Sequence, residues 1–423
     1  MIRHATGPAA LVIIGLLLPG ACKKETPAGS GTSASAAPEP APASSEKQPP
    51  PKPELLGNAE RGKELVKTFE CNRCHAGTGL EAADFHKDCF QCHRDIISGK
   101  FKVADTAKVA KWKKNVMMVQ HVPSLEGAGK RLRKQWLTAF LEQPQDLRPN
   151  LVPSMPRLAL SSQQAADVAA YLTAGEPASK EQSWKANAEA GRTLLETRAC
   201  GTCHLFTGAD LPAKPALKQG ESNAAIELAP DLRFTRERLS PDTLVAWLEE
   251  PEKMKPGTLM PNLGLTKAQA RDVAEYILHA PLKPAAVHPV PKRLAKLDRK
   301  VSFAEVQEKV LNRTCAHCHG NPDIAKGDGG PGNTGGFGYK PRHLDLSKYS
   351  GIASGYVADD GERHSVFSPK DGAPRIVAAL WARHDEQAGK PRPDLRGMPL
   401  GMPALPAEDI QVLESWIAQG RPR

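Results

Sequence analysis

The sequence predicts a mainly α chain of small tandem domains joined by long irregular loops. Three observations predict it. The pattern Cys-x-x-Cys-His occurs four times. Two segments around it repeat each other in order and spacing. The chain holds 35 glycines and 38 prolines in 423 residues, too many for long unbroken elements. Its length suits about three domains of roughly 100–150 residues each. Aromatic residues make up only 5%, so small domains need something else to fill their cores.

The N-terminus stands apart. Arg3 and His4 precede the apolar run PAALVIIGLLLPG, which ends beside Cys22. The run is short for a spanning helix and reads as the apolar part of an export signal over 1–21. It resembles a bacterial lipoprotein leader, with Pro19 where leucine is usual. The resemblance implies cleavage before Cys22 and lipidation of that cysteine; an ordinary export signal is the alternative. Residues 22–55 are rich in Ala, Pro, Ser and Glu and predict a disordered tether.

The repeat defines the domains. NAERGKELVKTFECNRCH at 58–75 parallels NAEAGRTLLETRACGTCH at 187–204. Each predicts a helix running into its first cysteine, with Leu65, Val66 and Phe69 or Leu194 and Leu195 on the apolar face. Downstream, 122–172 parallels 229–277: a Pro-x-Leu loop, a helix around tryptophan, a Met-Pro loop and a closing helix. Ser161 and Thr266 are the expected N-caps of the closing helices. Val168, Tyr171 and Leu172 share one helical face, and Val273, Tyr276 and Ile277 the equivalent one. These units span 56–175 and 186–280. A basic, proline-rich linker follows at 281–299. The last unit, 300–423, is looser. It predicts helices at about 302–312 and 407–418, separated by a long insertion containing GDGGPGNTGGFG. That run lacks the order of a phosphate-binding loop and is expected as flexible surface.

Apart from Cys22, all eight cysteines sit in the four patterns: Cys71, Cys74 and His75; Cys89, Cys92 and His93; Cys200, Cys203 and His204; Cys315, Cys318 and His319. Zinc needs four ligands, so the lone pairs at 200 and 315 would have to meet. Redox dithiols do not require the following histidine. Covalent haem attachment does: two thiols add to the vinyl groups and the adjacent imidazole reaches the iron. The pattern therefore predicts four covalent c-type haems, with His75, His93, His204 and His319 as proximal ligands. Haem would also fill the aromatic-poor cores. Its propionates would offset much of the formal +10 charge, so the basic balance does not argue for nucleic acid.

With their N-terminal helix, Cys-x-x-Cys-His, proline loop, Met-Pro loop and closing helix, the three units resemble class I cytochrome c domains. The resemblance covers most of 56–175, 186–280 and 300–420. It implies that the first and last helices of each unit cross, and that Pro123 and Pro230 offer carbonyls to the proximal histidines. It also directs attention to the distal ligands. Met155 and Met260 stand at the same repeat position, 13 residues before Val168 and Val273; each is a distal candidate, with core packing as the alternative. In the last unit Met398 is preferred to Met402, because Leu405 follows Met398 by the family's usual interval. The first unit has two haem motifs and one such methionine, so Met155 is assigned to the His75 haem. For the His93 haem the candidates are His86, His121, Met117 and Met118, with His121 preferred. His317 is expected to be incidental, and His343, His364 and His384 to be surface residues.

Several haems in one exported chain predict electron transfer between a redox protein or membrane respiratory complex and an extracytoplasmic partner, on the periplasmic side of a membrane. No flavin, copper or molybdenum signature is present. The basic runs 108–114 and 130–134 offer a face that could steer an acidic partner; a solvated helix face is the alternative. The competing functions are a multihaem enzyme such as a peroxidase, which needs an open iron, and a haem-bearing structural subunit of a respiratory complex.

Overall fold

The computed structural model describes residues 55–85, 87–101, 106–116, 121–145, 147–151, 155–176, 184–209, 223–285, 289–320 and 331–423. Pro53–Arg423 is one unit. The leader, Cys22 and most of the tether lie outside the described residues, as do His86, Met117 and Met118. Among the described residues no helix is long and apolar enough to cross a membrane.

The first repeat begins with the helix Ala59–Thr68. Asn58 caps it by accepting from the Arg61 backbone N–H. Its partner is the closing helix Ser162–Leu172, which starts in a capping box between Ser161 and Gln164. The two helices cross where Gly62 meets the Asp167 backbone. A Cβ at Gly62 would lie 2.0 Å from the Asp167 carbonyl oxygen, so only glycine permits this approach. Asp167 fastens the crossing. Its carboxylate accepts from the Asn58 N–H at 2.7 Å and from the Arg61 guanidinium at 2.8 and 2.9 Å. Val66 (0% exposed) and Val168 (3%) are buried beneath it, each contributing about 1.5–3 kcal/mol.

The second repeat reproduces this arrangement. Asn187 caps Ala188–Thr197, and Thr266 with Gln269 forms the capping box of Lys267–His279. A Cβ at Gly191 would meet the Asp272 carbonyl oxygen at 1.9 Å, and Asp272 accepts from the Asn187 N–H at 2.7 Å. Between each crossing pair lies the predicted tryptophan-bearing helix, Lys134–Glu142 in the first repeat and Pro241–Glu249 in the second. The repeats join along their loops. Arg133 N–H donates to the Arg238 carbonyl, Asp231 N–H to that of Leu147, and Arg148 Nε to that of Leu228.

The last domain packs Val306, Val310, Leu311, Val377, Leu380, Ile410, Leu413 and Trp416 into its own core. Its closing helix, Ala407–Ala418, lies where the sequence predicts. Its first helix instead begins with a short α segment, Phe303–Val306, and continues as a π-helix, Gln307–Cys315. The insertion is more ordered than expected. It carries the helix Arg375–Gln387 and two small antiparallel hairpins, Tyr356–Val357 with Arg363–His364 and Pro369–Lys370 with Ala373–Pro374.

The glycine-rich run also departs from expectation over its described part, 331–338. It is packed against the first domain. Phe337 N–H donates to Glu70, Arg73 lies over the Phe337 ring, and a Cβ at Gly338 would strike the Phe69 ring. Glycine is needed here for close approach, so this half is not free surface. Tyr339 and Arg396 complete the contact by donating to the Arg157 carbonyl, and Arg157 pairs with Glu386 at 3.4 Å. The segment 281–299 is tied at both ends: Lys283 N–H donates to the Gly208 carbonyl, and Arg293 pairs with Glu414 at 2.6 Å.

Candidate haem sites

The motifs at 71 and 200 share one local geometry. Each preceding helix is followed by a left-handed residue, Glu70 (φ 51°) or Ala199 (φ 55°). A single 3-10 turn, Cys71–Arg73 or Cys200–Thr202, then winds the two cysteines around the histidine. His75 N–H closes onto the Cys71 carbonyl at 2.9 Å, and His204 N–H onto that of Cys200 at 3.0 Å.

Each of these histidines is oriented by a proline carbonyl. His75 Nδ1 donates to Pro123 at 2.8 Å, and His204 Nδ1 donates to Pro230 at 2.8 Å. A carbonyl can only accept, so the proton is fixed on Nδ1. Nε2 keeps its lone pair for a metal. Burial lowers both imidazole pKa values and favours the neutral, ligating form. The proline loops are themselves pinned. Leu125 N–H donates to the Ala76 carbonyl and Leu232 N–H to that of Leu205, at matching positions.

Met155 and His75 line one apolar cavity, together with Cys71, Phe140, Leu141 and Val168. A motif cysteine, a neutral imidazole and a thioether thus face the same space. In the second repeat Met260 packs against the equivalent core, and Trp247 Nε1 donates to its sulfur at 2.8 Å. Phe140 holds the place of Trp247 in the first repeat, so Met155 has no counterpart of that donor.

The other two motifs are built differently. Cys89 opens the helix Cys89–Ser98, capped by Asp88, and His93 lies inside that helix, buried beside Phe90. The Cys74 thiol is within hydrogen-bonding reach of Cys89, and its pKa is raised. The last motif continues a helix through Cys315. Burial lowers the His319 pKa to about 4. Its Nδ1 is sealed from solvent with only the Gly332 backbone beside it, in contrast with the well-formed proline-carbonyl bonds of His75 and His204. Gly332 lies flat against its ring, where a Cβ would come within 2.2 Å of Cε1. Met398 packs on the same core as Cys315, whereas Met402 is not among the residues packed there.

The expected minor histidines divide. His343 and His364 are exposed. His384 is half-buried and bonds the Leu405 carbonyl at 2.9 Å, contrary to a surface role. His121 lies 3.9 Å from Glu227. His317 is not isolated within its motif: its ring centre is 6.1 Å from that of His93.

One polar cluster was not singled out by the sequence. At the boundary of the two repeats, Arg133 Nε, Trp136 Nε1, Asn150 Nδ2 and Arg238 Nε are buried donors with no acceptor. Arg131 and Arg148 stand beside Arg238, whose pKa desolvation and like charge push down to about 10. Lys255 is lowered for the same reasons. Donor atoms sealed from water without an acceptor are costly, and so are half-buried cations crowded together. They fit a group with carboxylates at its edge, as haem has. The cluster also revises the basic run 130–134, since Arg131 and Arg133 are half-buried instead of lying on an exposed face. A signal was present: Arg131 and Arg238 occupy equivalent repeat positions, each six residues before a buried leucine (Leu137 or Leu244).

The eight described cysteines form no disulfide. Among the described residues no three His, Cys, Asp or Glu side chains converge as an ion site. No curated protein and no solved structure matches the chain. The family model for cytochrome c matches it twice, over residues 59–175 and 188–281. Two tandem segments of the mainly α chain thus match the cytochrome c family, and electron transfer is the general role that this match supports.

Proposed function

We propose that the chain is a tetrahaem c-type cytochrome that relays electrons between membrane-bound or extracytoplasmic redox partners. Haem at each motif would supply a reversible one-electron centre. Cys71 with Cys74, Cys89 with Cys92, Cys200 with Cys203 and Cys315 with Cys318 would hold it. His75, His93, His204 and His319 would be the proximal ligands. Met155, Met260 and Met398 would close the distal sides of three sites. Cys22 would carry the lipid anchor, leaving the domains on the periplasmic side.

The adjacency of the motifs carries this reading. Cys74 reaches Cys89 across two motifs, and His93 approaches His317 across two domains. Three attachment sites are therefore neighbours, which suits a relay more than separate reaction centres. Pro123 and Pro230 hold the proximal rings in one orientation. The apolar walls around Met155 limit water and ligand rearrangement when charge changes.

A spectroelectrochemical titration with parallel cyanide and peroxide assays tests the reading. A relay shows four one-electron, low-spin centres that bind cyanide slowly and turn over no peroxide. Rapid peroxide reduction at an open iron would favour the enzyme instead. Mass analysis of membrane-extracted protein tests the anchor, and an unmodified Cys22 would remove it from the account.

A further inference from the structure

We propose that His317 completes the coordination of the iron held by His93, giving the second haem a histidine on each face. This rests on reading the four motifs as haem-attachment sites. His93 is 8% exposed and fixed inside the helix Cys89–Ser98, with Phe90 beside it at 5.8 Å. Its ring centre and that of His317 are 6.1 Å apart, with planes inclined at 41°. Two imidazoles bound to opposite faces of one metal by ~2 Å metal–nitrogen bonds have ring centres on the order of 6 Å apart. The observed pair has that spacing.

His317 stands between Cys315 and Cys318 on the short helix Ala316–Cys318, and its side chain is exposed. The last domain's apolar core is built without it. His121, the ligand expected from sequence, instead faces Glu227. The contact between the first and last domains, through Glu70, Arg73, Phe337 and Arg157, holds the two histidines together.

Two consequences follow from the placement. A second imidazole leaves this haem at a lower potential than its methionine-ligated neighbours. His317 is also one peptide bond from Cys318, so the ligand of one haem belongs to the attachment loop of another.

Electron paramagnetic resonance and near-infrared dichroism of the ferric holoprotein test the proposal, with haem mapped to each cysteine peptide in the same samples. The wild type should show one bis-histidine centre. His317→Ala should remove that signal and leave one haem of the four high-spin or open to cyanide. His317→Met should give the same haem a sulfur-to-iron charge-transfer band and a higher potential. An unchanged bis-histidine signal in His317→Ala, with all four haems attached, would overturn the inference and leave the haem reading standing. Loss of the signal in His121→Ala instead would do the same. Absence of haem from the Cys89–Cys92 peptide of the wild type would overturn both.

Discussion

His75 Nδ1 is bonded to the Pro123 carbonyl at 2.8 Å. That one contact fixes the tautomer, aims Nε2 into the cavity shared with Met155, and is repeated between His204 and Pro230. Two domains of one chain therefore present the same histidine geometry. What differs between them is the methionine side.

The distal difference is testable. Trp247 donates to the Met260 sulfur, and Phe140 leaves Met155 without an equivalent donor. A donor draws electron density from the sulfur and favours the reduced iron. Trp247→Phe should lower the midpoint potential of the second-domain haem, and Phe140→Trp should raise that of the His75 haem. Resolved potentiometric titrations check both signs.

The helix crossings set a packing limit. Gly62→Ala or Gly191→Ala places a methyl group within about 2 Å of a backbone oxygen, and separating the helices should cost about 1–3 kcal/mol. Thermal unfolding should report a clear loss for each variant. An unchanged midpoint would show that the crossings can separate without cost.

Asp167 gives the first crossing an acid limit. Arg61, with the Asn58 N–H and Gln163, holds its pKa at about 2, below the ordinary 3.8. A depressed carboxylate pKa stabilises the fold above the unfolded-state value and loses that contribution as pH falls through the folded-state value. The wild type should lose this part between about pH 4 and pH 2. Asp167→Asn should be less stable at neutral pH, and its deficit should shrink across the same window. A pH-independent deficit would contradict the assignment.

The half-buried cations at the repeat boundary make a further distinction. If they pair with haem carboxylates, Arg238→Met leaves an acceptor unpaired, costing roughly 1–3 kcal/mol, and removes positive charge near the iron. Thermal stability and the potential of a neighbouring haem should both fall. A more stable variant would mean that the cations had been an unrelieved cost.

Features set by local chemistry and by the repeat were legible in the sequence. Ser161 and Thr266 cap their helices because short polar side chains satisfy the free N–H groups there. Comparing the repeats singled out Met155 and Met260, and the resemblance to class I cytochrome c domains implied the two proline carbonyls and the crossing helices. Contacts made across domains were not legible. His317 reads as the variable residue of a motif until the chain brings it to His93. Gly336 and Gly338 read as a loose loop, because nothing nearby announces that they pack on Arg73 and Phe69. The helix Arg375–Gln387 was hidden differently. Its apolar spacing, Val377, Leu380 and Trp381, is visible, but the glycine-rich neighbourhood masks it.

The central claim is that four Cys-x-x-Cys-His motifs carry four covalent haems. The most direct measurement is the intact mass of the matured chain, beside Cys→Ala pair variants of each motif. The account predicts a mass increment of four haems, reduced by one haem in each variant. A wild type carrying haem only at Cys71–Cys74 and Cys200–Cys203, or bound zinc in place of haem, would contradict it.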